Sequence, residues 1–229
     1  DGSTWTDDPD DQDPDGTRMD IGAYYFDQRD FESPTISIND LAQNFGTNDN
    51  LVITWSANDN MALDLAKIYY SPDSLQTIEF VDSLEAVLGE YTFAIPDSSL
   101  TNFSAFVIYV YDAWDNSSAD TSNFFSIYDN TPPNILLTSE LDNNQFKERE
   151  YIIITWETND NVKVDSTQIF WTLNDQQPNY ATTAVFPKSS STIQVPSILT
   201  SNANIKLIAF DNSLNKAEAI IDSITIIAL

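Results

Sequence analysis

The 229-residue sequence has no cysteine and no histidine, and only five glycines. Without histidine there is no Ser-His-Asp triad, no imidazole base and no His-ligated zinc. Without cysteine there is no thiol nucleophile, iron–sulfur cluster or structural Cys site. The glycines (Gly2, Gly16, Gly22, Gly46 and Gly89) lie too far apart for a P-loop or a dinucleotide fingerprint. Basic residues are scarce too: 9 Lys and Arg against 36 Asp and Glu give a formal charge of −27. That field repels nucleic acid and anionic lipid, so neither is expected as a partner. No apolar run approaches the roughly 18 residues of a membrane-spanning helix. Ser213-Leu214-Asn215-Lys216 matches a short Ser-x-x-Lys pattern, but in a turn rather than at a helix start, and reads as coincidence. These absences leave no trace of an enzyme.

What is present is apolar and patterned. Hydrophobic residues make up 41% and aromatic residues 12%, too much for a disordered acidic chain. The chain also repeats itself. Leu51-Val52-Ile53-Thr54-Trp55 returns as Ile152-Ile153-Ile154-Thr155-Trp156, a step of 101 residues, and Asn58-Asp59-Asn60 returns as Asn159-Asp160-Asn161 at the same step. Pro96 returns as Pro196, and Ser33-Pro34-Thr35-Ile36 as Pro132-Pro133-Asn134-Ile135. Asp112 and Asn116 return as Asp211 and Asn215, a step of 99. Landmarks in one order at nearly one spacing imply two homologous domains.

Within each repeat the period is two. Leu51, Ile53, Trp55 and Ala57 share one parity; Ile152, Ile154 and Trp156 share its counterpart. Phe106, Ile108 and Val110 match Ile205, Leu207 and Ala209 as an inward set, while Lys206 marks the outward parity. Such alternation is a strand with one buried side. Turn clusters of Asn, Asp, Ser and Pro divide the runs, and only Ser83–Leu88 reads as a helical turn.

The string Asp129-Asn130-Thr131-Pro132-Pro133 ahead of a β-branched run, with the Ile-x-Trp, Asn-Asp-Asn and Asp-x-x-x-Asn landmarks, resembles the immunoglobulin-like or fibronectin-III-like repeats of prokaryotic surface proteins. The resemblance covers about Ser33–Leu229. It implies an all-β fold of two tandem immunoglobulin-like β-sandwich domains, with seven strands each and Trp55 and Trp156 between the sheets. The expected divisions are an acidic N-terminal extension over 1–30, a first domain over 31–129 and a second over 130–229. An extracellular, non-enzymatic spacer or adhesive module is the function it implies, with other surface domains or further copies as partners and a glycan as an alternative ligand. The absent methionine and leader suggest a trimmed chain, and a lipid anchor upstream of the acidic start is one expectation. A filament or sheath subunit is the rival reading, with Ile21–Phe26 or Ile220–Leu229 as a donated strand.

Asp1–Asp30 holds 10 of the 36 acids. It reads as a solvated tether, or as a metal loop through Asp11, Asp13 and Asp15 that Pro14 interrupts. In the sandwich topology, the loop after the second strand and the turn before the last one share a pole with the domain's N-terminus. That topology gathers Asp129, Asn130, Asn159, Asp160, Asn161 and Asp211 at the joint between the two domains, where a bound cation would stiffen the spacer. It gathers Asn58, Asp59, Asn60, Asp112 and Asp115, with Asp27 or Asp30, at the pole of the first. Calcium, which takes six to eight oxygen ligands, is the cation such a set suits. The competing explanation is turn chemistry, because Asn and Asp side chains bond their own backbone. Trp114, whose counterpart is Ser213, is the candidate to stack on a sugar or anchor a protein partner.

Overall fold

The computed structural model describes residues 29–139, 141 and 144–229. The acidic run, Ile21–Phe26 and Asp27 lie outside the described residues. The described chain is all-β: β1 Thr35–Ile38, β2 Asn44–Gly46, β3 Asn50–Asn58, β4 Leu63–Ser71, β5 Glu79–Glu85, β6 Glu90–Ala94, β7 Thr101–Asp112, β8 Ser117–Thr121 and β9 Phe125–Tyr128. The second series is β10 Asn134–Leu137, β11 Gln145–Lys147, β12 Tyr151–Asn159, β13 Val164–Leu173, β14 Asn179–Val185, β15 Ser190–Gln194, β16 Thr200–Asp211 and β17 Lys216–Ile227. Two compact units result. One takes residues up to Phe45 with Asn50–Ala94 and Thr101–Ser126; the other takes Ile127–Leu229 with Gly46–Asp49 and Ile95–Leu100.

In the second unit a three-stranded sheet, ordered β10-β12-β15, faces a five-stranded sheet ordered β11-β17-β16-β13-β14. The core is the seam between them. Ile152, Ile154 and Trp156 from β12 and Ile193 from β15 meet Ile169 and Trp171 from β13, Ile205 and Leu207 from β16, and Ile224 from β17. In the first series β1-β3-β6 forms the small sheet, and β2-β9-β7-β4-β5, with β8 also on β7, forms the large one. Leu51, Ile53 and Trp55 are buried from the one; Ile68, Phe106, Ile108 and Val110 from the other. Tryptophans 55 and 156 are interior, as the parity predicts. The duplication reaches the irregularities: register shifts fall between Ile68 and Tyr69 and, at the same step, between Ile169 and Phe170.

Three details depart from the sequence reading. Each series has more than seven strands, because short β2 and β11 extend the large sheets and the last strand of the first series is broken into β8 and β9. The helical turn shrinks to a 3-10 turn over Ala86–Leu88, since Ser83, Leu84 and Glu85 pair with Lys67, Ala66 and Leu65. Gly89 ends that turn at φ 68°, a left-handed conformation that favours glycine, and its carbonyl accepts the Trp55 N–H at 2.9 Å. Finally, most of Ile220–Leu229 lies within β17, paired with β16 and β11 of its own sheet, so the expected donor strand is already in use.

Candidate metal-binding poles

One carboxylate oxygen from each of Asp30, Asp59 and Asp112 lies within 4.8 Å of the others, and Asp129, Asp160 and Asp211 repeat the arrangement. The first trio belongs to the first unit and the second to the second. The chain steps between counterparts are 99, 101 and 99 residues. Each trio draws on three separate places: the residue ahead of the first strand, the turn after β3 or β12, and the last residue of β7 or β16.

Local turn chemistry sets every one of these aspartates. Asp112 ends β7 facing inward, 1% exposed, and its Oδ1 accepts the N–H groups of Trp114 and Asn116, each at 2.8 Å. Asp211 takes those of Ser213 and Asn215 at 2.8 and 2.9 Å. Asp59 Oδ2 accepts from the Met61 and Ala62 N–H groups, and Asp160 Oδ2 from those of Val162 and Lys163. Asp30 Oδ1 accepts the Glu32 N–H at 2.9 Å, as Asp129 Oδ1 accepts that of Thr131 at 3.0 Å.

These bonds use only part of each carboxylate. Asp30 is 5% exposed, yet its Oδ2 has no hydrogen-bond partner among the described residues; the inner oxygens Oδ1 of Asp59 and Asp160 are buried and equally without one. A buried anionic oxygen without a partner is costly, and the usual remedies are a proton, a water or a cation. Three acids crowded within 4.8 Å in each trio supply hard, anionic oxygens of the kind a divalent cation takes. Turn hydrogen bonds thus leave one oxygen of Asp30, Asp59 and Asp160 without a partner among the described residues, in clusters that could hold a metal ion.

Other expected residues fall differently. Asn58 and Asn159 end β3 and β12 on the outward parity and are exposed. Asp115 sits exposed in the turn at φ 65° and is not one of its pole's three clustered acids, and Asn130 is exposed beside Asp129. Asn60 and Asn161 reach the poles as donors, Nδ2 to Asp30 Oδ1 at 3.2 Å and to Asp129 Oδ1 at 3.4 Å. Of the two acids weighed beside the first pole, Asp30 is in its trio, and Asp27 lies outside the described residues. Two further residues complete the sites. Asn116 Nδ2 bridges Asp112 Oδ2 at 2.7 Å and the Asp30 carbonyl at 3.0 Å; Asn215 repeats this with Asp211 and Asp129 at 2.8 and 3.1 Å. The Asp-x-x-x-Asn spacing was the available signal for them. Trp114 is 37% exposed in the same turn as Asp112.

Asp73 is held below the usual carboxylate range, first by the Thr77 N–H and also by the hydroxyls of Thr77 and Ser71. No helix among the described residues is long and apolar enough to cross a membrane.

No protein-family model matches the sequence, and no curated protein is significantly similar to it. Several solved structures align with most of the chain. The fibronectin(III)-like modules of Clostridium thermocellum CbhA align at 10% identity over 85% of this chain and 94% of theirs, TM-score 0.36. The amphioxus IgVJ-C2 molecule aligns at 11% over 80% and 99%, TM-score 0.41. Titin domains I67–I69 align at 9% over 85% and 66%, TM-score 0.44. By its own strand order, duplicated core and duplicated poles, the chain is a tandem of immunoglobulin-like, fibronectin-III-like β-sandwiches.

Proposed function

We propose that this protein is a non-enzymatic extracellular module of a cell surface, a spacer or adhesive element whose two sandwiches each hold a calcium ion at one pole. The observation that carries the calcium reading is the buried Asp30 carboxylate, whose Oδ2, close to the carboxylates of Asp59 and Asp112, has no hydrogen-bond partner among the described residues. The recurrence of that trio as Asp129, Asp160 and Asp211 supports it. A cation there would be held by one oxygen of each aspartate, with water or backbone carbonyls completing its shell. It would fasten the segment entering the sandwich to the turn after the second strand and to the end of a core strand. For a chain at −27, neutralising such clusters also relieves self-repulsion. Stiffness, solubility and an acidic exterior suit a spacer, with neighbouring surface domains or further copies as its partners. Isothermal calorimetry on chelator-stripped protein is the test. The expected result is calcium binding at two sites per chain; absence of both binding heat and a rise in melting temperature overturns it.

A further inference from the structure

The second unit contains a cleft of about 580 Å³ at the end of the sandwich opposite its metal pole. The strand directions fix this placement: β12 runs from Tyr151, paired with Gln194 beside the cleft, to Asn159, which precedes Asp160. Trp171, Leu173 and Val195 form a buried apolar floor, and Tyr180 and Ile198 stand as exposed walls. Both rings are held in place. The indole Nε1 of Trp171 donates to the Gln194 carbonyl at 3.2 Å; Tyr180 packs edge-on against Phe170 and shares a hydrogen bond with Thr183.

The first repeat serves as an internal control. There Tyr70, Phe93 and Phe106 pack ring against ring with centroids 5.1 to 5.3 Å apart. Their counterparts are Trp171, Ile193 and Ile205, so two phenyl rings have become isoleucines below the cleft. The rim has changed in charge as well. Glu79, across the ladder from Tyr70, becomes Asn179, across from Trp171. Asn48 becomes Arg149, both at φ 65°, and Asp97 becomes Ser197. Two carboxylates are lost and a guanidinium gained, in a chain where acids outnumber bases four to one. No acid lines the cleft, and the side chains of Arg149, Asn179 and Ser197 carry no hydrogen bond to described residues.

We infer that this cleft binds an acidic sugar: a pyranose ring bearing a carboxylate, such as a uronic acid unit of a polysaccharide. The ring's apolar face lies on the aromatic and aliphatic wall, the carboxylate meets the Arg149 fork, and the hydroxyls meet the Asn179 amide and the Ser197 hydroxyl. The volume falls within the range of small-molecule sites. This site is separate from the metal poles and from Trp114, and the inference does not rest on calcium.

The test is NMR titration of the full chain with galacturonic acid trimer, in chelator so that calcium bridges nothing, against the neutral galactose trimer. Expected are shift changes at Trp171, Tyr180 and Arg149, and at least about tenfold tighter binding of the acidic trimer. Arg149→Asn and Asn179→Glu, which import the first repeat's residues at exposed positions, should each weaken binding about tenfold without moving the melting temperature. If one variant fails to fold, the other decides. Shift changes confined to other residues, equal binding of the two trimers, or unchanged affinity in a folded variant overturns the inference.

Discussion

Asp59→Asn separates the two jobs of a pole aspartate and gives a prediction whose sign depends on calcium. The Asn carbonyl can still accept the Met61 and Ala62 N–H groups that Asp59 Oδ2 now takes, so the turn survives while a charge is removed. At 4.8 Å two unit charges repel by roughly 3 to 4 kcal/mol at an effective dielectric near 20. Asp59 takes part in two of the three pairs of its trio, but it is partly exposed, which reduces the relief to roughly 1 to 2 kcal/mol. In chelator, then, the variant's first unit should melt about 5 to 15 °C higher than wild type. With calcium at a hundredfold its dissociation constant, wild type should gain about 2.7 kcal/mol per site, roughly 10 to 20 °C per unit. The variant should gain little in that unit, so the two melting curves exchange order between chelator and calcium. Differential scanning calorimetry resolves this, and Asp160→Asn should reproduce it in the second unit. A variant that melts lower in chelator and keeps its full calcium gain would refute the reasoning.

Trp55 and Trp156 should respond unequally to replacement by Phe. Trp55 Nε1 donates to the Ala86 carbonyl at 3.3 Å, whereas the buried Trp156 Nε1 has no partner; by urea unfolding Trp156→Phe should cost at least about 1 kcal/mol less. Asp211→Ala leaves the Ser213 and Asn215 N–H groups and the Asn215 amide without their acceptor. It should destabilise the second unit by about 3 kcal/mol even in chelator, as denaturant titration would register. Tyr70 is held above the usual phenol value, by burial first and by Glu79, against the Ser104 hydrogen bond. A raised value favours the protonated phenol in the fold, so this stability is present below about pH 10 and lost as pH rises through the folded value. Thermal melts of Tyr70→Phe between pH 9 and about 12 should therefore show a shallower alkaline loss than wild type.

Much of the fold was legible because a sandwich leaves its period in the chain. The alternation that hides Ile53 and Trp55 also hides Ile152, Ile154 and Trp156, and a duplicated landmark is hard to produce by accident. The same alternation already places Asn58 and Asn159 on the outward side. Asp59, Asp112, Asp129, Asp160 and Asp211 were found because topology brings a turn and two strand ends together. Asp30 could not be told from Asp27 by spacing alone, since a position ahead of the first strand carries no period. The second bond of Asn116 and of Asn215 depends on an amide reaching a carbonyl 86 residues away, which the Asp-x-x-x-Asn spacing does not encode. The cleft depends on what two phenyl rings in distant strands no longer fill.

Strand β14 closes the large sheet of the second unit at an open edge, and Asn179–Val185 carries no charge, while its counterpart β5 carries three acids. An uncharged rim with Tyr180 and Val185 exposed offers a template for pairing with a sister molecule. Colloidal repulsion from the rest of the surface is what holds sister molecules apart there. As acidity approaches the isoelectric point near 4.1, that shield vanishes, and clumping should begin along this one border rather than through unfolding.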